Sequence, residues 1–499
     1  MPSKRMAGGP IQLDSGLIRG ATCGREGRIS VYKGIPFAAP PVGRLRWKPP
    51  HPVEPWAGVR PATEFGPAAV QGFFPSFGGV GENVWQSEDC LYLNVWTPAR
   101  SPDERLPVMV WIHGGGFGIG SGSNPGYAGD KLVEKGVVLV TINYRLNIFG
   151  ALAHPWLTKE SEHHASGNYG LMDQIEALKW VRRNIAAFGG DPERVTIFGE
   201  SAGSRSVTLQ MVSPLSKGLF HRGICQSGAV RDVSQSLEDR EKEGAALAEK
   251  MGARSLDEFR AKSVADFLAV VDLKSNPIGA FHSNPMIDGW VVPEDPRKLY
   301  AEGRQHPMPL IIGVNEDEGT LMIGRTRIKT VEDFQGFINH RYGENAGRVL
   351  NLYRPEDDGR VAMALNHHQT DSAMTLNARR QARWMEKAGL TSYLYYFTRV
   401  PPTAAGKALR AHHGAEIAYV FGLIGPEWGQ ATDVDRKLSN VMMTYWTAFA
   451  ASGDPKAEGM PAWPAYTAAN DEYLELGDRI QAGRHLRKKA LDVLDPLVD

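Results

Sequence analysis

Residues 195–203 constrain this chain more than any other segment. A short apolar run, 195–198, passes directly into Gly199-Glu200-Ser201-Ala202-Gly203, and residues 202–212 continue with helix-compatible composition. Gly-x-Ser-x-Gly alone is a weak signal in a chain with 55 glycines. Between a strand and a helix it is a strong one. The turn must be sharp, and the two glycines let strand and helix approach closely. The serine is left exposed at a helix N-terminus, where the dipole favours developing negative charge. A Gly-rich turn with an idle serine would explain neither flank.

A second glycine cluster follows another apolar run. Residues 108–112 lead into His113-Gly114-Gly115-Gly116-Phe117. Consecutive glycines leave backbone N–H groups unhindered and able to point together, as the oxyanion of acyl transfer requires. Gly115 and Gly116 are the expected donors, with the Ala202 N–H as a third. A serine nucleophile also needs a base, and the base an orienting acid. In a strand–turn–helix architecture of this kind the chain order is serine, acid, histidine. Downstream of Ser201 lie His221, His282, His306, His340, His367, His368, His412, His413 and His485. Composition does not choose among them.

Composition bounds what else the chain can be. Of 499 residues 42% are hydrophobic and 22% charged, enough apolar material for a large core. Lys+Arg (56) equals Asp+Glu (56), so no global field draws the chain to nucleic acid or an anionic membrane. The apolar runs, such as 108–112, 137–140 and 310–312, fall far short of the ~18 residues of a membrane span. The opening MPSKRMAGGP lacks the apolar core of a signal peptide. The cysteines are Cys23, Cys90 and Cys225, an odd count with no CxxC or zinc-type spacing, and no Asn-x-Ser/Thr occurs. A cytoplasmic location is therefore expected. His163-His164 and His367-His368 lack matching carboxylate or cysteine spacing, so no metal is expected, and no cofactor is implied.

Residues 11–37 read as small strands around glycines, and 38–90, rich in Pro and Gly, as a long surface loop. Residues 91–96, 108–112, 137–143, 195–198, 310–314 and 393–398 read as strands. Apolar positions 171, 175, 178, 181 and 185 have helical spacing. Alternation of strands and helices predicts an α/β fold with a large, mostly parallel central sheet flanked by helices. A single domain over 1–499 is expected, with helical insertions at about 235–280 and 325–390.

The chain resembles the type B carboxylesterases. The resemblance runs from about Gly16 to Trp463. It rests on YKGIPFAAPPVGRLRW, SEDCLYLNVW, WIHGGGF, NYRLNIFG, GNYGLMDQIEALKWVRRNIAAFGGDPERVTIFGESAG, GVNEDEG and HHGAEIAYVFG. It implies an α/β-hydrolase fold and a serine ester hydrolase. The nucleophile falls on Ser201. The acid falls on the glutamate of Asp-Glu-Gly, Glu318, with Glu316 and Asp317 as close neighbours. The base falls on the histidine before Gly414, His413, with His412 beside it. Arg46 with Glu88, and Arg145 with Asp173, resemble the family's structural ion pairs. Glu200 is expected to tune the site's electrostatics and Ser227 to support it.

Departures from the family pattern carry further expectations. FGPAAVQ has Ala69 where relatives often carry a cysteine, so Cys90 lacks its usual partner. Trp85 lies only three residues before Glu88; it is a candidate substrate contact but cannot be equated with the aromatic that binds choline in cholinesterases. Phe73, Phe74 and Phe77 are either packing or cavity lining. Residues 281–289 resemble an acyl-pocket segment, with Phe281 and Ser283 at its wall positions, which predicts acceptance of acyl groups longer than acetyl. Arg205, four residues after Ser201, stands where relatives mostly have a small or apolar residue. It is expected either to pair with Glu200 or another acid, or to grip a carboxylate on the substrate. The expected partner is thus a small-molecule ester, not nucleic acid or membrane, and the oligomeric state is open. A non-catalytic adhesion or binding protein on the same fold is the alternative, and lipase or amidase activity a variant within hydrolases. The filled triad positions favour the esterase.

Overall fold

The computed structural model describes residues 8–72, 84–233, 235–271, 284–323, 326–425, 428 and 430–498. Short N-terminal strands come first: β1 (Pro10–Gln12), β2 (Leu17–Arg19), β3 (Ala21–Cys23), β4 (Ile29–Pro36) and β5 (Val59–Pro61). Then follow β6 (Tyr92–Thr97), β7 (Leu106–Ile112), β8 (Val138–Ile142), β9 (Gly190–Glu200) and β10 (Arg222–Gln226). The last are β11 (Leu310–Asn315), β12 (Ser392–Phe397), β13 (Tyr473–Leu476) and β14 (Ile480–Gly483). Eleven of them form one sheet in the order β14-β13-β12-β11-β10-β9-β7-β8-β6-β4-β3. From β13 to β8 every neighbouring pair is parallel. Beyond those strands, at both edges, the pairing is antiparallel.

A parallel sheet needs cover on both faces, and its strands are correspondingly apolar throughout. In β7, Val108, Val110 and Ile112 enter the core on one face while Met109 and Trp111 enter the core on the other. The first face is covered by α1 (Tyr169–Asn184) and α2 (Ala202–Gln210). Leu171, Ile175, Leu178 and Val181 of α1 are buried, as their spacing requires. The second face is covered by α3 (Asp433–Ser452), which buries Met442, Tyr445, Trp446 and Phe449.

The two stretches expected as helical insertions are rich in helix. Residues 237–270 hold three helices. Residues 331–387 hold four α-helices and a six-residue π-helix, Thr370–Thr375, and share a third core with the C-terminal helix Lys488–Leu494. The stretch 38–90 departs from the surface loop expected of it. Its described residues are mostly irregular, yet Trp47 is 2% exposed and donates from Nε1 to the Ile148 carbonyl at 2.9 Å. Pro and Gly signal irregular backbone, not exposure, and side chains such as Ala68, Ala69 and Val70 are buried there. Two ion pairs pin this region. Arg46 grips Glu88 from Nε at 2.6 Å and Nη2 at 2.5 Å. Arg145 grips Asp173 from Nε at 2.8 Å and Nη2 at 2.7 Å, and its backbone N–H adds a third bond at 2.9 Å. No helix among the described residues is long and apolar enough to cross a membrane.

Candidate active site

Loops after parallel strands gather at the carboxyl edge of the sheet. The glycine run follows β7, Ser201 follows β9, Ser227 follows β10, Glu318 follows β11 and His413 follows β12. All of them line one cavity of about 870 Å³.

Ser201 occupies the sharp turn between β9 and α2, with φ 56° and ψ −118°. This is strained backbone for a residue with a Cβ. It is held from both sides: Ser201 N–H donates to the Gln226 carbonyl at 2.9 Å, and its own carbonyl accepts from Arg205 N–H at 2.9 Å. The flanking glycines are obligatory. A Cβ on Gly203 would stand 1.9 Å from the Ile112 carbonyl oxygen, and one on Gly199 would stand 2.5 Å from the Gly203 carbonyl carbon. Only bare backbone lets α2 start this close to β7 and β9.

The glycine run lies against the serine. A Cβ added to Gly114 would stand 3.2 Å from the Cβ of Ser201. Gly115 and Gly116 have φ of 101° and 62°, which turns the backbone back on itself. The Gly115 carbonyl accepts from Gly118 and Ile119, while the N–H groups of Gly115 and Gly116 are donated to no described residue. Ala202, the first residue of α2, has no helical acceptor for its own N–H. The arrangement can therefore offer backbone donors to an oxyanion beside Ser201.

Among the three neighbouring acids, contacts separate the roles available. Glu318 Oε2 lies 2.5 Å from His413 Nδ1, and Glu318 Oε1 accepts from Asn315 N–H at 2.7 Å. Asp317 is engaged elsewhere, with Asn366 Nδ2 at 2.7 Å and Arg410 Nε at 3.2 Å. Glu316 donates its N–H to the Phe397 carbonyl and does not line the cavity. His412 lines the cavity, but its Nδ1 lies 2.9 Å from the His413 carbonyl rather than near an acid.

The other ring nitrogen of His413, Nε2, stands 3.1 Å from Glu200 Oε1. Burial opposes charge on this imidazole, but Glu200 and Glu318 override it and push its pKa up. Burial raises the Glu200 carboxyl, and Glu416 and Glu318 raise it further against the pull of His413. Carboxyl groups thus face both nitrogens of the His413 ring, and each one that is ionised favours the imidazolium.

Sequence reasoning left three contributors without a role. Glu416, buried three residues after His413, accepts from Asn315 Nδ2 at 2.6 Å and Gln226 Nε2 at 3.0 Å. Asn315 Nδ2 also holds the His412 carbonyl at 2.7 Å, so this network braces the histidine loop. The π-helix brings Ser372, Ala373 and Met374 to the cavity wall, and Arg231 enters it from the loop after β10. Glu416 sits within the HHGAE motif and was findable; Arg231 has no local signal. Ser227 lines the cavity with φ 53°, and its buried Oγ finds no partner among the described residues.

Arg205 lines the cavity, but the expected pairing with Glu200 does not form. Its Nη1 donates to Asn284 Oδ1 at 3.3 Å and its guanidinium lies 5.7 Å from the centre of the Phe117 ring. Trp85 is not brought to the site. It is 70% exposed and absent from the cavity lining, while residue 86 beside it makes an isolated bridge to the buried Ala68. Phe281 and Ser283, like Phe73, Phe74 and Phe77, lie outside the described residues. No group of three or more metal-type ligands occurs among the described residues.

Residues 9–494 match the model of the Carboxylesterase family. The chain is 37% identical to the fumonisin B1 esterase of Sphingopyxis macrogoltabida, over 94% of this chain and 87% of that protein. It is also 37% identical to the para-nitrobenzyl esterase of Bacillus subtilis (strain 168), over 94% of this chain and 95% of that protein. A solved PNB esterase structure superposes with a TM-score of 0.83 at 34% identity, over 98% of this chain and 100% of that chain.

Proposed function

The chain belongs to the carboxylesterase family and is a carboxylic-ester hydrolase of α/β-hydrolase fold, and from that premise we propose that Ser201, His413 and Glu318 carry the reaction. The observation that supports this reading most is the 2.5 Å contact of Glu318 with His413 Nδ1 in the cavity that Ser201 also lines. Ser201 Oγ attacks the ester carbonyl, and His413 Nε2 takes its proton. Glu318 orients the ring and stabilises the imidazolium. The N–H groups of Gly115, Gly116 and Ala202 bind the oxyanion. Collapse of the tetrahedral intermediate passes the proton from His413 to the leaving alcohol and leaves an acyl-serine. Water, deprotonated by His413, then attacks that acyl group and releases the acid and free Ser201.

Relatives are named for acting on such different esters as fumonisin B1 and p-nitrobenzyl compounds. We take the substrate of this chain to be a small-molecule ester, with acyl groups longer than acetyl accepted, which the roomy cavity supports. A reducing, cytoplasmic setting is supported by three unbridged cysteines. The test of the mechanism is Ser201→Ala with p-nitrophenyl butyrate. The variant should keep its circular dichroism spectrum and lose at least about 10³-fold in kcat. A folded variant with near-normal turnover would remove Ser201 from the reaction.

A further inference from the structure

Three arginines withdrawn from water elsewhere in this molecule face carboxylates. Arg46 has Glu88, Arg145 has Asp173, and Arg379 has Asp471. Arg205 does not. It is half-buried in the cavity wall, and among the described residues it has only the Asn284 amide oxygen and the face of Phe117. Arg231 lines the same cavity and forms no hydrogen bond or ion pair with a described residue; Asp232, next to it in the chain, is the acid whose charge reaches it. Burial, and then the charge of Arg231, push the pKa of Arg205 down to about 9, against the opposing pull of Asp232. Arg231 is exposed and Arg205 half-buried, and with Asp232 as the acid that acts on both, the pair keeps a net positive charge that the protein compensates only in part.

Position says which part of a substrate meets them. Arg205 is four residues beyond Ser201 on α2, about 6 Å along the axis. Its neighbours are Phe117, in the loop that follows the glycine run, and Asn284. The charges acting on it are those of Arg231 and Asp232, not those of Glu200, Glu318 or His413. The leaving alcohol must face His413 to receive its proton, so the acyl part extends the other way, toward Arg205. Resting on the assignment of Ser201 as nucleophile, we propose that Arg205 and Arg231 form an anion subsite that binds a free carboxylate on the acyl part of the ester. The substrate class is then the partial esters of di- or polycarboxylic acids. A planar guanidinium matches a carboxylate bidentately, and Asn284 and Phe117 hold its fork in place.

The test compares kcat/KM for monoethyl glutarate and for the neutral ethyl valerate, with carboxymethyl butyrate placing the acid on the alcohol side. In the wild type the acyl-side acid should be preferred over the neutral ester. That ratio should fall at least about tenfold in Arg205→Gln and in Arg231→Gln, mainly through KM, with Arg205→Lys retaining part of it. Glutarate itself should inhibit the wild type competitively, and more weakly the variants. Should Arg205→Gln fail to fold, Arg231→Gln and glutarate inhibition decide. An unchanged ratio in a folded variant, no glutarate inhibition, or a preference confined to carboxymethyl butyrate would overturn the proposal. Such an outcome leaves the mechanism intact as long as Ser201→Ala is inactive on all three esters. A Ser201→Ala variant that turns them over would remove the mechanism itself.

Discussion

At the scale of single residues the site is a problem of proton sharing. Glu200, Glu318 and Glu416 bring three carboxyl groups around one imidazole in a buried setting. An anion beside His413 stabilises the imidazolium and raises the pH at which the ring becomes a base. Glu200→Gln removes one such anion and should shift the acid limb of the kcat/KM profile to lower pH, by about one unit. A limb that stays in place or moves upward would show that Glu200 does not act on the base. Neighbouring acids should separate just as clearly. Glu318→Gln is expected to lose about 10³–10⁴-fold in kcat, since the ring loses its orienting partner. Glu316→Gln, outside the cavity lining, should lose little. A reversed contrast would assign the acid to the wrong glutamate.

At the scale of elements the β9–α2 turn is the most demanding feature. The 1.9 Å approach of a hypothetical Gly203 Cβ to the Ile112 carbonyl meets backbone, which cannot rotate away as a side chain could. Gly203→Ala should therefore displace α2 and destabilise the fold by about 1–3 kcal/mol or more. Urea denaturation would measure it, and an unchanged midpoint would refute the close approach. The Arg145–Asp173 pair shows a second kind of demand. Both side chains are nearly or wholly out of water, at 3% and 0% exposure. Asp173→Ala leaves the guanidinium uncompensated and should cost about 3–5 kcal/mol. It acts through loss of folded protein, so specific activity per folded molecule should change far less than yield.

For the whole molecule, the thiols and the cavity are the readable properties. Cys23, Cys90 and Cys225 are free. Cys90 and Ala69 line the same small void, so the position that would pair with Cys90 in relatives holds a methyl group. Burial pushes the Cys90 and Cys225 thiols up, the latter to about 12, and both are buried. Alkylation in denaturant should label three thiols per chain without reductant. Under native conditions Cys90 and Cys225 should resist, with Cys23, half-exposed, reacting first. A disulfide-linked peptide in the non-reduced digest would contradict this.

Local chemistry explains how much was readable without the fold. Gly199–Gly203 (residues 199–203) and the 113–117 run announce themselves because backbone geometry, not distant contacts, dictates their glycines. The strands of the parallel sheet are legible for a related reason: burial on both faces makes them continuously apolar. Glu318 and His413 could be chosen over Asp317 and His412 only through resemblance, since adjacent residues differ in direction and direction is set by the loop. The tertiary structure decided the rest. It carried Arg205 away from Glu200 and left it facing Asn284 and Phe117. It put Arg231 beside it, and it left Trp85 in solvent. It also buried much of 38–90, because packing partners for Trp47 and Arg46 come from segments about a hundred and two hundred residues away. Charge compensation and burial depend on which distant segments meet, and no local pattern of residues encodes that meeting.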